Sequence, residues 1–163
     1  MKYISSDTNI WLDFSIIDRL DIPFRQSCTY IMFYETIEHE LIYPEGLAER
    51  LIQLGLKAVD ITDEEYFYAD EIAGKYPALS IADRIALSIA RCRRIILLTG
   101  DKSLRNAAKN ENVQVIGTIG LLDTLLQEVS ITDDEYKDCI EELLRNNGKG
   151  IRLPKEELLR RLI

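Results

Sequence analysis

Residues 81–108 have the sequence IADRIALSIARCRRIILLTGDKSLRNAA, and they decide the fold class. Residues 81–93 are rich in alanine and isoleucine, which predicts a helix near the centre of the molecule. Residues 94–99 (RIILLT) are the strongest strand pattern in the chain. The turn TGDK then leads into a helix predicted from Ser103 to Lys109. A helix, a strand and a second helix in direct succession indicate an α/β fold.

The same alternation continues on both sides of this stretch. Further strands are predicted at Tyr3–Ser6, Cys28–Phe33, Lys57–Ile61 and Asn112–Ile116. Further helices are predicted at Trp11–Ile17, Glu35–Leu41, after Pro44, after the capping box of Thr62 and Glu65, at 117–129, at Thr132–Asn146 and at Pro154–Leu162. The sequence therefore predicts an α/β fold with a mainly parallel central sheet. Its main domain is expected at residues 1–130, with residues 131–163 as a C-terminal helical extension packed on the same domain.

Length and composition describe a globular protein without a membrane segment. A chain of 163 residues buries roughly 68–70% of its unfolded surface, so its core needs no disulfide. No apolar run approaches the roughly 20 residues of a membrane span, and residues 1–14 have no basic stretch followed by an apolar run, so a secretory signal is not expected. Cys28, Cys92 and Cys139 are scattered, which predicts reduced thiols and a cytoplasmic protein. The single histidine, His39, excludes a multi-histidine zinc site.

Charge is distributed unevenly along the chain. The net charge of −8 argues against non-specific binding of nucleic acid over the whole surface. Between residues 84 and 109, however, the only acid is Asp101. The basic residues of that segment are Arg84, Arg91, Arg93, Arg94, Lys102, Arg105 and Lys109. Each alone is explained by a solvated helix face or strand end, but as a group they suit a polyanionic substrate.

Three aspartates lie where predicted strands or helices reach an edge of the sheet. They are Asp7 after YISS, Asp83 in SIADR and Asp101 after IILLTG. Each has a structural alternative, because Asp7 and Asp101 are suited to cap the next helix and Asp83 to complete a capping box with Ser80. Thr8 and Asn9 lie closer than Asp7 to the predicted helix start, which weakens the capping role of Asp7. Ligands of open parallel sheets bind at the carboxyl edge, near a reversal in strand order.

The segment ETIEHEL supplies a fourth acidic candidate, but its identity is open. On a helix, Glu35, Glu38 and Glu40 lie at 0°, roughly 300° and roughly 140°. They therefore cannot share one face, and two of them must face solvent.

Electrostatics gives a reason for gathering such acids in one cleft. Two carboxylates about 4 Å apart repel by roughly 4 kcal/mol at an effective dielectric constant near 20. A divalent cation removes this penalty, and Mg²⁺ or Mn²⁺ suits a site made of carboxylates and water. Such a site can activate water for phosphodiester hydrolysis. The hydroxyls of Thr99 and Ser103 lie beside Asp101, where they can orient a carboxylate or a phosphate.

The chain resembles the PIN-domain nucleases, especially the prokaryotic toxin-type members and a related group of short stand-alone PIN proteins. The matching segments are SSDTNIWLDF, ETIEHEL, SIADRIALSIA, LLTGDKSLRNAA and VIGTIGLLDTLL, which span residues 1 to about 128. The C-terminal segment NGKGIRLPKEELLRRLI is similar to the tail of the stand-alone group. The resemblance implies a three-layer α/β/α fold with a mainly parallel central sheet and extra C-terminal helices.

In function, the resemblance implies a metal-dependent endoribonuclease that hydrolyses RNA with a metal-activated water. It implies catalytic and metal-binding roles, around Mg²⁺ or Mn²⁺, for Asp7, Glu40, Asp83 and Asp101. Glu40 is preferred because IEHEL aligns best with the helix of the family. Supporting positions are Asn9, Thr99 and Ser103, and the expected substrate-binding residues are Arg84, Lys102 and Arg105. Toxin-type members usually form homodimers and are inhibited by a small antitoxin protein, so both partners are expected here.

Two alternatives remain open from the sequence. The ambiguous glutamate and the acidic net charge are also consistent with a catalytically degraded PIN fold that binds RNA or protein. A phosphatase with Asp7 as nucleophile is a weaker alternative, because such enzymes need a second acid at the position of Asn9.

Overall fold

The structure, a computed structural model, describes residues 2–163 and is built around one parallel sheet. Its strands are β1 (Tyr3–Ser6), β2 (Thr29–Phe33), β3 (Lys57–Val59), β4 (Ile96–Leu98) and β5 (Val115–Ile116). Their order is β3-β2-β1-β4-β5, and every pair is parallel. The chain first extends the sheet to one side of β1 and later to the other. The strand order thus reverses between β1 and β4, and a crevice opens at their carboxyl ends.

Helices cover both faces of this sheet. They are α1 (Thr8–Ile16), α2 (Tyr34–Glu40), α3 (Leu47–Leu54), α4 (Asp63–Glu71), α5 (Ile81–Arg93), α6 (Lys102–Asn110), α7 (Thr118–Gln127), α8 (Asp133–Arg145) and α9 (Lys155–Arg160), with a 3₁₀ helix at Ile22–Arg25. Between residues 2 and 163, none of them combines the length and the apolar character that crossing a membrane requires.

The sheet separates two apolar cores, because side chains alternate between its faces. On one face, Ile4, Tyr30 and Leu98 pack with α1, α2, α3 and α7–α9 around the fully buried Trp11. On the other, Leu97 packs with α4, α5 and α6. This arrangement confirms the three-layer α/β/α fold.

Several predicted boundaries were wrong by a few residues. The first helix begins at Thr8 rather than Trp11, so Asp7 is its N-cap after all. The strand predicted at Lys57–Ile61 ends at Val59, because its partner β2 ends at Phe33, where α2 begins, and offers no further pairing. The strands predicted at 28–33, 94–99 and 112–116 are likewise shorter, and the 3₁₀ helix was not predicted.

The segment after residue 130 packs directly on the first core. Ile140, Leu143 and Leu158 of α8 and α9 are fully buried there. Arg161, the C-cap of α9, also forms an ion pair with Asp123 of α7, with Nη2 and Oδ2 2.7 Å apart. The C-terminal helices are therefore part of the same packed structure as the sheet.

A polar cluster around Glu111 joins α4 to the end of α6. The carboxylate accepts hydrogen bonds from the hydroxyls of Tyr68 and Tyr76 and from Lys75 Nζ, at 2.6–2.7 Å. These bonds lower its pKa to about 2. We expect Glu111→Gln to lower the free energy of unfolding at pH 7 by roughly 1.5–3 kcal/mol, the range for hydrogen bonds to a charged group. Urea titration measures the loss, with the exposed Glu128→Gln as a control expected to change by less than about 0.5 kcal/mol.

Candidate active site

The crevice between β1 and β4 brings Asp7 and Asp101 to the same edge of the sheet. Asp7 follows β1 directly, and its amide donates to Leu98 O of β4 at 3.0 Å. Asp101 is the N-cap of α6, and its Oδ2 accepts from the Leu104 amide at 2.9 Å. Both residues therefore occupy the point where a central strand turns into a helix.

Asp7 is a nearly buried carboxyl group, with only 5% of its surface exposed. Its Oδ1 accepts from the Thr8 amide at 2.9 Å and its Oδ2 from the Thr99 hydroxyl at 2.8 Å. Burial raises its pKa to about 7, against the hydrogen bond from Thr99, and the charges of Asp83 and Glu40 raise it further. Asp83 and Glu40 are therefore near enough to Asp7 for their charges to act on it, although burial has the larger effect.

Thr99 and Asn9 hold the two strand ends together. The Thr99 hydroxyl donates to Asp7 and accepts from the Asp101 amide at 3.1 Å, so one buried side chain contacts both acidic positions. Asn9 Oδ1 accepts from the Gly100 amide at 3.3 Å. The structure thus places both predicted supporting residues between β1 and β4, whereas Ser103 is exposed in the first turn of α6.

Asp83 reaches the site from the first turn of α5. Ser80 Oγ accepts from the Asp83 amide and Asp83 Oδ2 accepts from the Ser80 amide, both at 3.1 Å, so the predicted capping box is present. Burial raises the pKa of Asp83, and the charges of Asp101 and Glu40 add to this shift. Capping the helix and facing the other acids are therefore compatible roles.

Glu40 is the glutamate of α2 that the structure brings to Asp7. Its Oε1 accepts from the Thr8 hydroxyl at 2.6 Å, and its charge acts on both Asp7 and Asp83. Glu35 instead contacts the hydroxyl of Tyr34. The acidic edge, as we call it, comprises Asp7, Glu40, Asp83 and Asp101.

Much of the basic segment serves the structure rather than the acidic edge. Arg93 forms an ion pair with the buried Glu65 at 2.7 Å, and Arg91 lies over the ring of Tyr68. Arg84, expected to bind substrate, donates through Nη1 to the Ala69 carbonyl at 2.9 Å. Lys102 and Arg105 lie on α6, next to Asp101.

One acidic residue near the crevice was not predicted from the sequence. Asp13 of α1 is partly buried, and its Oδ2 accepts from the Thr118 hydroxyl at 2.8 Å. Burial raises its pKa to about 6, against that hydrogen bond. Its position between the apolar residues Leu12 and Phe14 is the sequence pattern that could have indicated a partly buried acid. Because its pKa responds to none of the acidic-edge residues, we treat Asp13 as a structural neighbour.

The donor atoms of the acidic edge are of the class that a hard divalent cation prefers. The acids supply carboxylate oxygens only. Burial raises the pKa of Asp7 and Asp83, the charges of the neighbouring acids raise it further, and a bound cation would favour the ionised carboxylates against both effects. Within residues 2–163, however, no three or more Asp, Glu, His or Cys side chains are already arranged around one point. The residues thus fit Mg²⁺ or Mn²⁺ by chemistry and charge, without a preassembled ligand set.

Comparison with known proteins identifies the family. A family model described as a PIN domain matches residues 3–163, whereas curated proteins and solved structures gave no significant match. PIN domains are generally nucleases and usually use divalent metal ions. The match covers every strand of the sheet and all of the acidic edge, in agreement with the resemblance of the five sequence segments. The chain therefore belongs to the PIN-domain family.

Proposed function

We propose that this protein is a metal-dependent endoribonuclease that hydrolyses RNA at the acidic edge. The observation that carries the proposal is the position of Asp7 and Asp101 at the switch point of the sheet, joined through the Thr99 hydroxyl. The charges of Glu40 and Asp83 add to the effect of burial on the pKa of Asp7. Their repulsion costs stability, and a divalent cation is the simplest compensation. A bound cation supplies an activated water and stabilises negative charge on the phosphodiester.

The contribution of the chain is to hold carboxylates in fixed positions. Asp7, Asp83 and Asp101 each accept at least one hydrogen bond from a backbone amide at the start of a helix. The helix dipoles favour the ionised carboxylates at these positions. Each oxygen has a further lone pair to offer, so the same aspartates can accept protons from water or bind a cation. Preorganised charge of this kind lowers the cost of reaching the transition state.

The role of Thr99 can be tested separately from the acids. Thr99→Val removes the hydroxyl that holds Asp7 and leaves the Asp101 amide without its acceptor. Since this hydrogen bond lowers the pKa of Asp7, we expect the acidic limb of the pH–rate profile to move to higher pH. We also expect cleavage to slow by about 10–100-fold, as for other residues that orient metal ligands. Thr99→Ser keeps the hydroxyl and should restore both properties.

The direct test is cleavage of a single-stranded RNA by the purified protein in Mn²⁺ or Mg²⁺, with chelator as the control. We expect internal cleavage that stops in chelator. Intact RNA after prolonged incubation in either metal would contradict the proposed activity.

A second candidate function is a PIN fold that binds RNA or protein without cleaving. It is favoured by the lack of a preassembled ligand set within residues 2–163. Calorimetric titration with Mn²⁺ distinguishes the two candidates. Binding that disappears in Asp101→Asn supports the nuclease, whereas no binding at millimolar Mn²⁺ supports the non-catalytic module.

We also propose a cytoplasmic setting, in which the protein acts as a homodimer and as the toxin of a toxin–antitoxin pair. The three cysteines form no disulfide, and a small antitoxin protein would be the inhibitor. Sedimentation of the purified chain tests the dimer. Growth arrest on expression, relieved by co-expression of the product of the adjacent gene, tests the toxin role.

A further inference from the structure

A cleft of about 1010 Å³ begins beside the acidic edge and extends toward the C-terminal segment. Gly100 and Lys102, the residues on either side of Asp101, line its near end. The turn before α7 also lines it, and so does part of residues 147–154, which we call the far wall. The cleft therefore connects the acidic edge to residues 147–154, which come later in the sequence than all four acids.

The charge of this cleft is positive, although the protein as a whole is acidic. Lys102, Arg105 and Arg152 line it, and none of them forms an ion pair with a carboxylate between residues 2 and 163. The one acid in the lining, Glu157, already pairs with Arg161 at 2.9 Å. Three cations thus remain available to a bound polyanion.

The lining is also partly apolar, which narrows the class of ligand. Ile119, Leu153 and Pro154 lie along the same cleft as the cations. A single strand presents both phosphates and unstacked bases, so it can use both kinds of surface. A duplex hides its bases and would leave the apolar lining unused.

The far wall is held in place before any ligand binds. Asn147 Nδ2 donates to the Leu153 carbonyl at 2.9 Å, and Asn147 Oδ1 accepts from the Leu153 amide at 3.1 Å. Ile151, between them, is fully buried in the core that α8 and α9 share with the sheet. A fixed wall lowers the ordering cost of binding.

We propose that this cleft binds the single-stranded RNA that flanks the cleaved bond, with Arg105 and Arg152 contacting its phosphates from opposite walls. The proposal rests on the proposed nuclease function and assigns substrate binding to the C-terminal segment. Residues 147–154 would then have two roles: Ile151 packs in the apolar core, and Arg152 binds the substrate.

Binding of a labelled single-stranded RNA in chelator tests the cleft without cleavage. We expect Arg105→Gln/Arg152→Gln to weaken binding about tenfold at moderate salt. The slope of log affinity against log salt should fall by roughly 1.4, because each lost phosphate contact of a single strand contributes about 0.7. The matched control, Arg91→Gln/Arg94→Gln, removes the same charge from a cavity at the opposite edge of the sheet and should retain wild-type affinity.

A pair of glycine variants tests the position of Arg105 without changing charge. A Cβ on Gly117 would collide with Arg105 Nη1, whereas a Cβ on Gly74, which lies outside the cleft, would meet nothing within 4 Å. We expect Gly117→Ala to displace Arg105 and weaken RNA binding severalfold, and Gly74→Ala to bind like the wild type.

The outcomes separate this inference from the proposed activity. Unchanged affinity and salt slope in Arg105→Gln/Arg152→Gln would overturn it, even if the wild type cleaves RNA. Equal affinity for a duplex of the same sequence, or equal competition by polyglutamate, would also overturn it. Failure of the wild type to cleave RNA in Mn²⁺, with binding in the cleft intact, would instead remove the nuclease proposal.

Discussion

Asp7→Asn is expected to abolish RNA cleavage while the protein stays folded. The substitution keeps the shape of a side chain that is 95% buried and removes the charge at the centre of the acidic edge. A cation at such a site contributes several kcal/mol to the transition state, and each 1.36 kcal/mol corresponds to a tenfold change in rate. We therefore expect a loss of about 10³-fold or more, measured as initial rates on a labelled RNA in saturating Mn²⁺. Asp101→Asn should show a similar loss.

Asp13→Asn is the matched control for this experiment. Asp13 lies on α1, the helix that Asp7 caps, is partly buried, and accepts a hydrogen bond from a threonine hydroxyl, as Asp7 does. Because it does not interact with the other acids, its substitution should change the rate by less than about threefold. Full activity in both Asp7→Asn and Asp101→Asn would mean that the cleavage does not occur at the acidic edge, and the nuclease proposal would fall.

The positions of Asp7 and Asp101 could be predicted from the sequence because they depend on local structure. An aspartate after an apolar strand and before a helix must lie at the carboxyl edge of a parallel sheet. The alternative roles as helix caps were also correct, since Asp7 and Asp101 are N-caps and Asp83 completes a capping box. Capping did not compete with the site, because a helix start supplies the amides that hold a carboxylate in place.

The choice of glutamate could not be made from helical spacing, and only the resemblance to the family favoured Glu40. The helical angles of Glu35, Glu38 and Glu40 are known from their spacing, but the rotation of α2 about its axis is set by what it packs against. In the structure, Ile37 faces the core and Glu40 meets Thr8 from another helix. Both contacts are between residues far apart in sequence, so the local sequence pattern of α2 cannot predict them.

The basic segment shows a second limit of local reasoning. Arginines with the same charge have different partners once α4 packs on α5: Arg93 forms an ion pair with Glu65, and Arg84 donates to the Ala69 carbonyl. The cation that completes the cleft, Arg152, lies far away in sequence, in a segment placed by Asn147 and Ile151. The distribution of charge along the sequence therefore indicated a positively charged segment, but it did not show which of its basic residues lack an ion-pair partner.

In the absence of divalent cation, the protein is expected to lose stability as the pH rises from about 5 to 8. The pKa of Asp7 is raised to about 7 and that of Asp13 to about 6, so the folded state keeps protons that the unfolded state has already released. The stability linked to these protons is complete below pH 4 and is lost as the pH passes the folded pKa values. Carboxylates with a lowered pKa, such as Glu111 and Glu135, have the opposite effect: the stability that they contribute is lost as the pH falls below about 4.5. Stability in chelator should therefore be greatest at about pH 4.5.

The variants Asp7→Asn and Asp13→Asn, with and without Mn²⁺, separate the contribution of Asp7 to this loss of stability from that of Asp13. A pKa raised from 3.8 to about 7 corresponds to a cost on the order of 4 kcal/mol above pH 8, so Asp7→Asn should be more stable than the wild type there. Urea unfolding followed by fluorescence of the buried Trp11 measures the difference. Mn²⁺ at about 100 times its dissociation constant should stabilise the wild type and Asp13→Asn by about 2.7 kcal/mol but leave Asp7→Asn unchanged. Equal stabilisation of Asp7→Asn would place the cation elsewhere, because a ligand that relieves the charge of Asp7 cannot act when that charge is gone.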